Sequence, residues 1–276
     1  MYLIITRSFP PEIGGMQNLM WGLTNELSKH YLLKVFADIQ NNHKDFDEKV
    51  SFSIERVGGI KLLRKYRKAY LINEFIKKNK INGIIADHWK SLELIKTEKK
   101  KICLIHSKEI NHNKGTNLNK RATDVLNNTD TIVANSKYTK DLAIKCGVDE
   151  NRIIVINPGI EPVQELNKKS LKNVENLLKH KTPRLITISR FDKRKNHEKI
   201  IMSLRNLKQK YPSIVYICIG YGDEETNIKK LVNELDLKEQ VMFFKDISNE
   251  LKNSLLAKSN IFVMPSIIYK KSVEGF

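Results

Sequence analysis

Short runs of apolar residues alternate with longer stretches whose apolar positions recur every three or four residues, almost from end to end of the chain. In the first half the short runs are Tyr2–Thr6, Leu33–Ala37, Ile84–Ala86, Ile102–Ile105 and Thr131–Ala134. In the second half they are Arg184–Ser189, Ile214–Ile219, Gln240–Phe244 and Ile261–Met264. Their apolar residues sit side by side and do not alternate with polar ones, the pattern of strands covered on both faces. Strands alternating with helices predict parallel βα units.

The intervening stretches carry helix punctuation. Ser136 is placed to cap a helix over Lys137–Lys145, with Gly147 as its stop. A second helix starts at Asn196 or a near neighbour and runs to about Lys210, with Pro212 just beyond. Its inner stripe is Ile200, Ile201, Leu204 and Leu207, and a matching stripe of Ile228, Leu231, Val232 and Leu235 follows Gly222. Between Glu161 and Thr182 the pattern weakens into charged residues around Leu171, Val174, Leu177 and Leu178, and a new strand opens after Pro183. The predicted organisation is a first domain over 1–165, a connecting region over 166–182 and a second domain over 183–276.

Composition narrows the class. With 276 residues, 41% hydrophobic and 8% aromatic, the chain is long enough and apolar enough for an ordered core. No stretch has the length and apolarity of a membrane span. Met1–Thr6 reads as a buried first strand and not as a signal peptide, so a cytoplasmic protein is expected. Cys103, Cys146 and Cys218 are isolated, without the paired spacing of a zinc site or a disulfide frame. The net charge of +18 has two readings: attraction to anions, or a Lys- and Asn-rich composition that spreads charge without marking a site. No pattern of a zinc finger, an RNA-recognition strand or a basic recognition helix is present, so nucleic acid is not an expected partner.

Three stretches carry candidate chemistry. Phe9-Pro10-Pro11-Glu12-Ile13-Gly14-Gly15-Met16 lies between the first strand and a long helix. Paired glycines there let backbone approach a ligand, and the helix start offers free N–H groups suited to phosphate; a plain tight turn is the alternative. The spacing is not that of a dinucleotide fingerprint, which counts against a nicotinamide enzyme. Ile188-Ser189-Arg190-Phe191-Asp192-Lys193-Arg194-Lys195-Asn196-His197 lies at the carboxyl end of the first strand of the second half, where open α/β sheets bind ligands. Arg190 can fork onto two phosphate oxygens and Lys195 supplies a point charge; a solvated basic loop is the alternative. The third is Met264-Pro265-Ser266 with Val273-Glu274-Gly275-Phe276 beyond it.

Together these stretches resemble the family 4 glycosyltransferases, retaining enzymes of the GT-B fold. The resemblance runs through Pro10–Gly15, Ile105-His106-Ser107-Lys108-Glu109, Thr131–Thr139, Ile153–Gly159, Ser189–Lys195, Ile219–Gly222, Val241–Phe244 and Phe262–Ser266, in family order. Ser189 replaces the family's usual Gly, and Asn157-Pro158-Gly159 its usual Pro-Asn-Gly. Glu274-Gly275-Phe276 is similar to the opening of the family's E-x7-E motif, whose second Glu has no counterpart before the chain stops.

The resemblance implies an α/β architecture of GT-B type: two Rossmann-like domains facing across a cleft, the second incomplete. It implies a hexosyl-type transfer from a nucleoside-diphosphate sugar to a glycan or lipid-linked acceptor with retention, without metal or other cofactor. By carry-over, Gly14 and Gly15 approach the diphosphate and acceptor, Arg190 and Lys195 hold the diphosphate, His106 lines the sugar pocket and Glu274 contacts the transferred sugar. Glu109 and Ser136 are further candidate sugar or acceptor contacts, Ser136 doubling as a helix cap. The alternative is a non-catalytic or vestigial nucleotide-sugar-binding fragment.

Other features admit plainer readings. His106, Glu109 and His112 have the spacing of metal ligands on a helix, but a strand-end loop is the expectation and metal is not. His88-Trp89 reads as packing or pocket wall. Lys61–Lys80, with its cations beside Leu62, Leu63, Tyr66 and Tyr70, reads as an ordinary surface helix or as a contact with an anionic membrane at the inner face of the plasma membrane.

Overall fold

The computed structural model describes residues 1–160 and 165–269. Two compact units divide the chain, the first running through Glu161 and the second opening at Pro162.

The first unit contains, in order, β1 (Tyr2–Ile5), α1 (Gly15–Ser28), β2 (Leu33–Asp38), α2 (His43–Asp47), β3 (Ser53–Val57), α3 (Lys61–Lys78) and β4 (Gly83–Ala86). It continues with α4 (Trp89–Leu92), β5 (Lys100–Ile105), α5 (Asn117–Asn127), β6 (Thr131–Ala134), α6 (Lys137–Lys145) and β7 (Ile153–Val155). Its seven strands form one parallel sheet in the order β3-β2-β1-β4-β5-β6-β7. Leu3 and Ile5 pack on one face with Ile72 of α3 and Leu126 of α5, while Ile4 packs on the other with Met20 of α1. Both faces are therefore covered, which is why the strands read as continuous apolar runs.

The second unit contains α7 (Lys168–Leu177), β8 (Arg184–Ile188), α8 (His197–Lys210), β9 (Val215–Ile219), α9 (Glu225–Glu234), β10 (Val241–Phe244), α10 (Asn249–Ala257) and β11 (Ile261–Phe262). The parallel sheet order is β10-β9-β8-β11. Ile200, Ile201 and Leu204 of α8 and Ile228 and Val232 of α9 cover one face, as the helical stripes predict. On the other face Val174 and Leu178 pack with Ile186, Val215 and Leu255. The stretch 166–182, expected to be a connection, thus holds a helix of the second unit; its stripe is short because only Val174 and Leu178 are buried in it.

Two strands have no counterpart among the expected runs. β3 (Ser53–Val57) holds Glu55 and Arg56, and β7 shows Ile154 and Val155 more than a third exposed at the sheet edge. Edge strands have one partner only, so neither needs the continuous apolar run that marks a central strand. The predicted cap at Ser136 is present: its Oγ accepts from the Thr139 N–H at 3.2 Å.

Candidate functional site

Each sheet has a point where the strand order reverses, between β1 and β4 in the first and between β8 and β11 in the second. Open α/β sheets bind ligands outside the carboxyl ends of strands at such points. The candidate residues cluster at both.

In the first unit, the loop after β1 is fixed at its base and open at its tip. Phe9 is fully buried against Trp21, Phe46 and Phe52, in edge-to-face contacts. Arg56 donates to the Pro10 carbonyl at 2.5 Å and is held by Asp47 at 2.6 Å. At the tip, Ile13 is 89% exposed and Gly14 is extended at φ 174°, a conformation any residue adopts. A Cβ on Gly14 would meet only the flexible end of the Gln17 side chain, and one on Gly15 would meet nothing. Neither glycine is required by its backbone conformation or by a neighbouring main chain.

Beside it, β4 delivers Asp87 and His88. Asp87 is buried and fully engaged, accepting from the Thr6 hydroxyl, the Arg7 N–H and the Ser91 hydroxyl, each at 2.8 Å. His88 Nδ1 accepts from the Lys90 N–H at 2.9 Å, so the neutral ring carries its proton on Nε2. Burial, and then the cations of Arg7 and Lys90, push His88 down to about 3.

β5 brings His106 and Glu109 to the same end of the sheet, in a strand-end turn and not on a helix. The Glu109 carboxylate accepts from the His106 N–H and its carbonyl from the Trp89 indole at 2.8 Å. Desolvation raises the Glu109 carboxyl, against the opposing pull of that His106 N–H. Ser107 between them takes φ +84°, uncommon for a non-glycine residue. The ring Nε2 of His106 is buried and makes no hydrogen bond among the described residues. Ser136, at the end of β6, spends its oxygen on capping α6.

In the second unit the basic loop is built by backbone pairing. Ser189 N–H donates to Ile219, Phe191 N–H to Tyr221 at 2.9 Å, and Glu224 N–H back to Phe191 at 2.9 Å. Here the glycines are structural. A Cβ on Gly220, at φ +144°, would lie 2.0 Å from the Ser189 carbonyl oxygen, and one on Gly222 would lie 2.4 Å from that of Phe191. Asp192 caps the turn of Lys193–Lys195 by accepting from the Lys195 N–H at 3.0 Å.

The loop's two candidate cations differ. Arg190 is exposed, and its guanidinium has no carboxylate partner among the described residues. Lys195 is buried, with Nζ 3.2 Å from the Met264 sulfur, and burial and Arg194 lower its pKa against the pull of Asp192. Behind the loop runs a buried chain of hydrogen bonds. Ser189 Oγ meets His197 Nε2 at 3.1 Å, His197 Nδ1 meets the Tyr216 hydroxyl at 2.8 Å, and that hydroxyl donates to Thr187 at 2.9 Å. Thr187 in turn donates to the Val263 carbonyl. Desolvation pushes His197 down to about 4 and the Tyr216 hydroxyl up.

The structure thus gathers Gly14, Gly15, His106 and Glu109 at one sheet's carboxyl end, and Arg190 and Lys195 at the other's. Glu274 lies outside the described residues. From sequence alone Arg7 and Asp87 have no role, His88 only that of packing or pocket wall, and His197 only a place at the end of the basic stretch; Arg7 and Asp87 share one signal, a polar residue directly after a short apolar run. Among the described residues, no three His, Cys, Asp or Glu side chains are grouped to hold a metal ion.

Comparison with known proteins agrees in family and fold. Residues 13–164 match the family model of Glycosyltransferase Family 4, and residues 168–276 that of Glycosyl transferases group 1. A GDP-mannose-dependent alpha-(1-6)-phosphatidylinositol monomannoside mannosyltransferase of Mycolicibacterium smegmatis is 20% identical over 281 residues, covering 95% of this chain and 72% of that protein. The amylovoran biosynthesis glycosyltransferase AmsK of Erwinia amylovora is 30% identical over 132 residues, which are 48% of this chain and 31% of AmsK. Among solved structures, Anabaena HepE in complex with UDP superimposes with a TM-score of 0.78 at 16% identity, over 96% of this chain and 74% of HepE. A glycosyltransferase from Rickettsia africae gives 0.76 at 18% identity, over 96% and 73% of the respective chains. At such identities the structural likeness shows the fold, which is that of GT-B glycosyltransferases.

Proposed function

The chain belongs to glycosyltransferase family 4, and from that premise we propose that it transfers a hexosyl group from a nucleoside-diphosphate sugar to a glycan or lipid-linked acceptor, with retention of anomeric configuration. The observation that carries this reading is Arg190: an exposed guanidinium without a carboxylate partner among the described residues, on a loop whose shape is held by backbone pairing and two obligatory glycines. A fork of that kind suits a diphosphate, and the buried Lys195 adds a second cation. The printed ligands of similar proteins support a nucleotide donor: HepE is solved with UDP and with UDP-glucose, and the mycobacterial relative is named for GDP-mannose.

The chemistry follows from where charge develops. As the bond from the sugar to the diphosphate breaks, the leaving group gains negative charge, and fixed cations favour that charge in the transition state. In a retaining transfer the acceptor enters on the face the diphosphate leaves, so a leaving-group oxygen can take the acceptor proton and no paired hydrolase carboxylates are needed. Gly14 and Gly15 approach the diphosphate and acceptor, His106 the sugar, with Glu109 fixing the His106 backbone. Glu274 is assigned to the transferred sugar by its motif alone. Ser136 serves as the cap of α6 and borders the acceptor side.

The test is a screen of UDP-, GDP- and ADP-sugars with the full-length protein, following nucleoside-diphosphate release and the anomeric coupling of the product by NMR. Release with one donor and an axial-to-axial or equatorial-to-equatorial outcome is expected. Inversion, or no release with any donor, contradicts the reading.

A further inference from the structure

Beyond the donor site, the first unit holds an unbalanced pair of cations. The register Ile5↔Ala86 sets β1 and β4 side by side, so Arg7 and His88 leave the sheet as neighbours, with Lys90 two residues on. The carboxylates that could neutralise Arg7 and Lys90 are already committed. Asp87 takes three hydrogen bonds from Thr6, Arg7 N–H and Ser91. Glu93 is shared by Lys65 and Arg121, and Glu109 is turned onto the His106 backbone. Neither the Arg7 guanidinium nor the Lys90 ammonium has an ion-pair partner among the described residues, while Lys90 lies 5.2 Å over the Trp89 ring and is half-buried. Two groups beside them can donate or share hydrogen bonds: neutral His88 through Nε2, and His106, whose buried Nε2 has no partner among the described residues.

We propose that Arg7 and Lys90, with His88 beside them, bind a phosphate group carried by the sugar acceptor. The exposed Arg7 guanidinium can fork onto two phosphate oxygens and the half-buried Lys90 ammonium, beside the Trp89 ring, supplies a point charge, whereas a neutral sugar offers neither of them a counter-charge. Calling the ligand an acceptor rests on the glycosyltransferase reading; phosphate binding at Arg7 is measured separately from it.

The probes are glucose 1-phosphate, a monoester, glycerophosphoinositol, a lipid-type diester, and glucose as the neutral control. Histidine-ring resonances of the full chain report occupancy. At least one charged probe is expected to shift His88 and His106, with glucose inert, and the R7A/K90A double variant to bind about tenfold or more weakly, the scale of one charged hydrogen bond. R7K should recover part of that loss, and R190A should leave it unchanged. The tighter probe tells a sugar phosphate from a lipid headgroup. UDP should bind R7A/K90A as it binds the wild type; loss of UDP binding there would make the pair part of the donor site and overturn the proposal. So would silent His88 and His106, or equal binding by wild type and R7A/K90A. If no UDP binds any variant while the phosphate response holds, the donor reading fails and the phosphate site stands.

Discussion

At the residue scale, the glycines divide into two kinds with opposite expected behaviour. A Cβ on Gly15 would meet nothing and one on Gly14 only the movable end of Gln17, and neither has a left-handed backbone, so Gly15→Ala at the start of α1 should leave stability in urea unfolding unchanged or raise it by up to about 1 kcal/mol, while transfer activity falls. Gly220→Ala forces a methyl against the Ser189 carbonyl and should cost roughly 2–4 kcal/mol in urea unfolding. A Gly15→Ala enzyme with full activity would remove the ligand-approach argument. The buried histidines set a second expectation. His88 and His197 are held neutral down to about 3 and about 4, below the 6.5 of the free side chain. Near 6.5 the unfolded chain takes up protons that the folded chain refuses, so stability should fall as pH drops from 6.5 towards 5, by up to about 1.4 kcal/mol per unit per histidine. Urea midpoints at pH 7, 6 and 5 check this, and His197→Gln should flatten the slope; an unchanged midpoint across that range contradicts it.

At the element scale, the central strands and the α8 and α9 stripes are legible in the sequence because both faces of each sheet are covered, so periodicity reports burial directly. β3 and β7 are not, because an edge strand needs few apolar residues. The glycine pairs look alike in sequence, and only the packing separates Gly14-Gly15, set at an open tip, from Gly220 and Gly222, pressed on a neighbouring backbone. Arg190 and Lys195 are legible as a basic run after a strand, but that one is exposed and the other buried depends on β11 and Met264, distant in sequence. Helix α3 forms over Lys61–Lys78 as its pattern expects, with Lys68 turned inward to the Thr6 carbonyl at 2.8 Å and Leu62, Tyr66 and Tyr70 exposed on one stripe. If that stripe meets an anionic membrane, the protein should co-sediment with phosphatidylglycerol vesicles in low salt, and Leu62→Ser with Tyr66→Ser should abolish it. Equal sedimentation of both proteins assigns α3 to an ordinary surface.

At the scale of the whole molecule, two parallel α/β units each present their chemistry at the carboxyl end of a sheet, beside the point where strand order reverses. The division of labour follows from charge: the second unit carries the loop suited to a diphosphate, and the first carries the open glycines, His106 and the Arg7–Lys90 pair. The most direct measurement of this account is calorimetric titration of UDP and GDP into the wild-type chain and into R190A and K195A. Each substitution is expected to weaken the preferred nucleotide by roughly 1.5–3 kcal/mol, as for hydrogen bonds to charged groups. Unchanged affinity in both variants would remove the basic loop from the donor site and contradict the account.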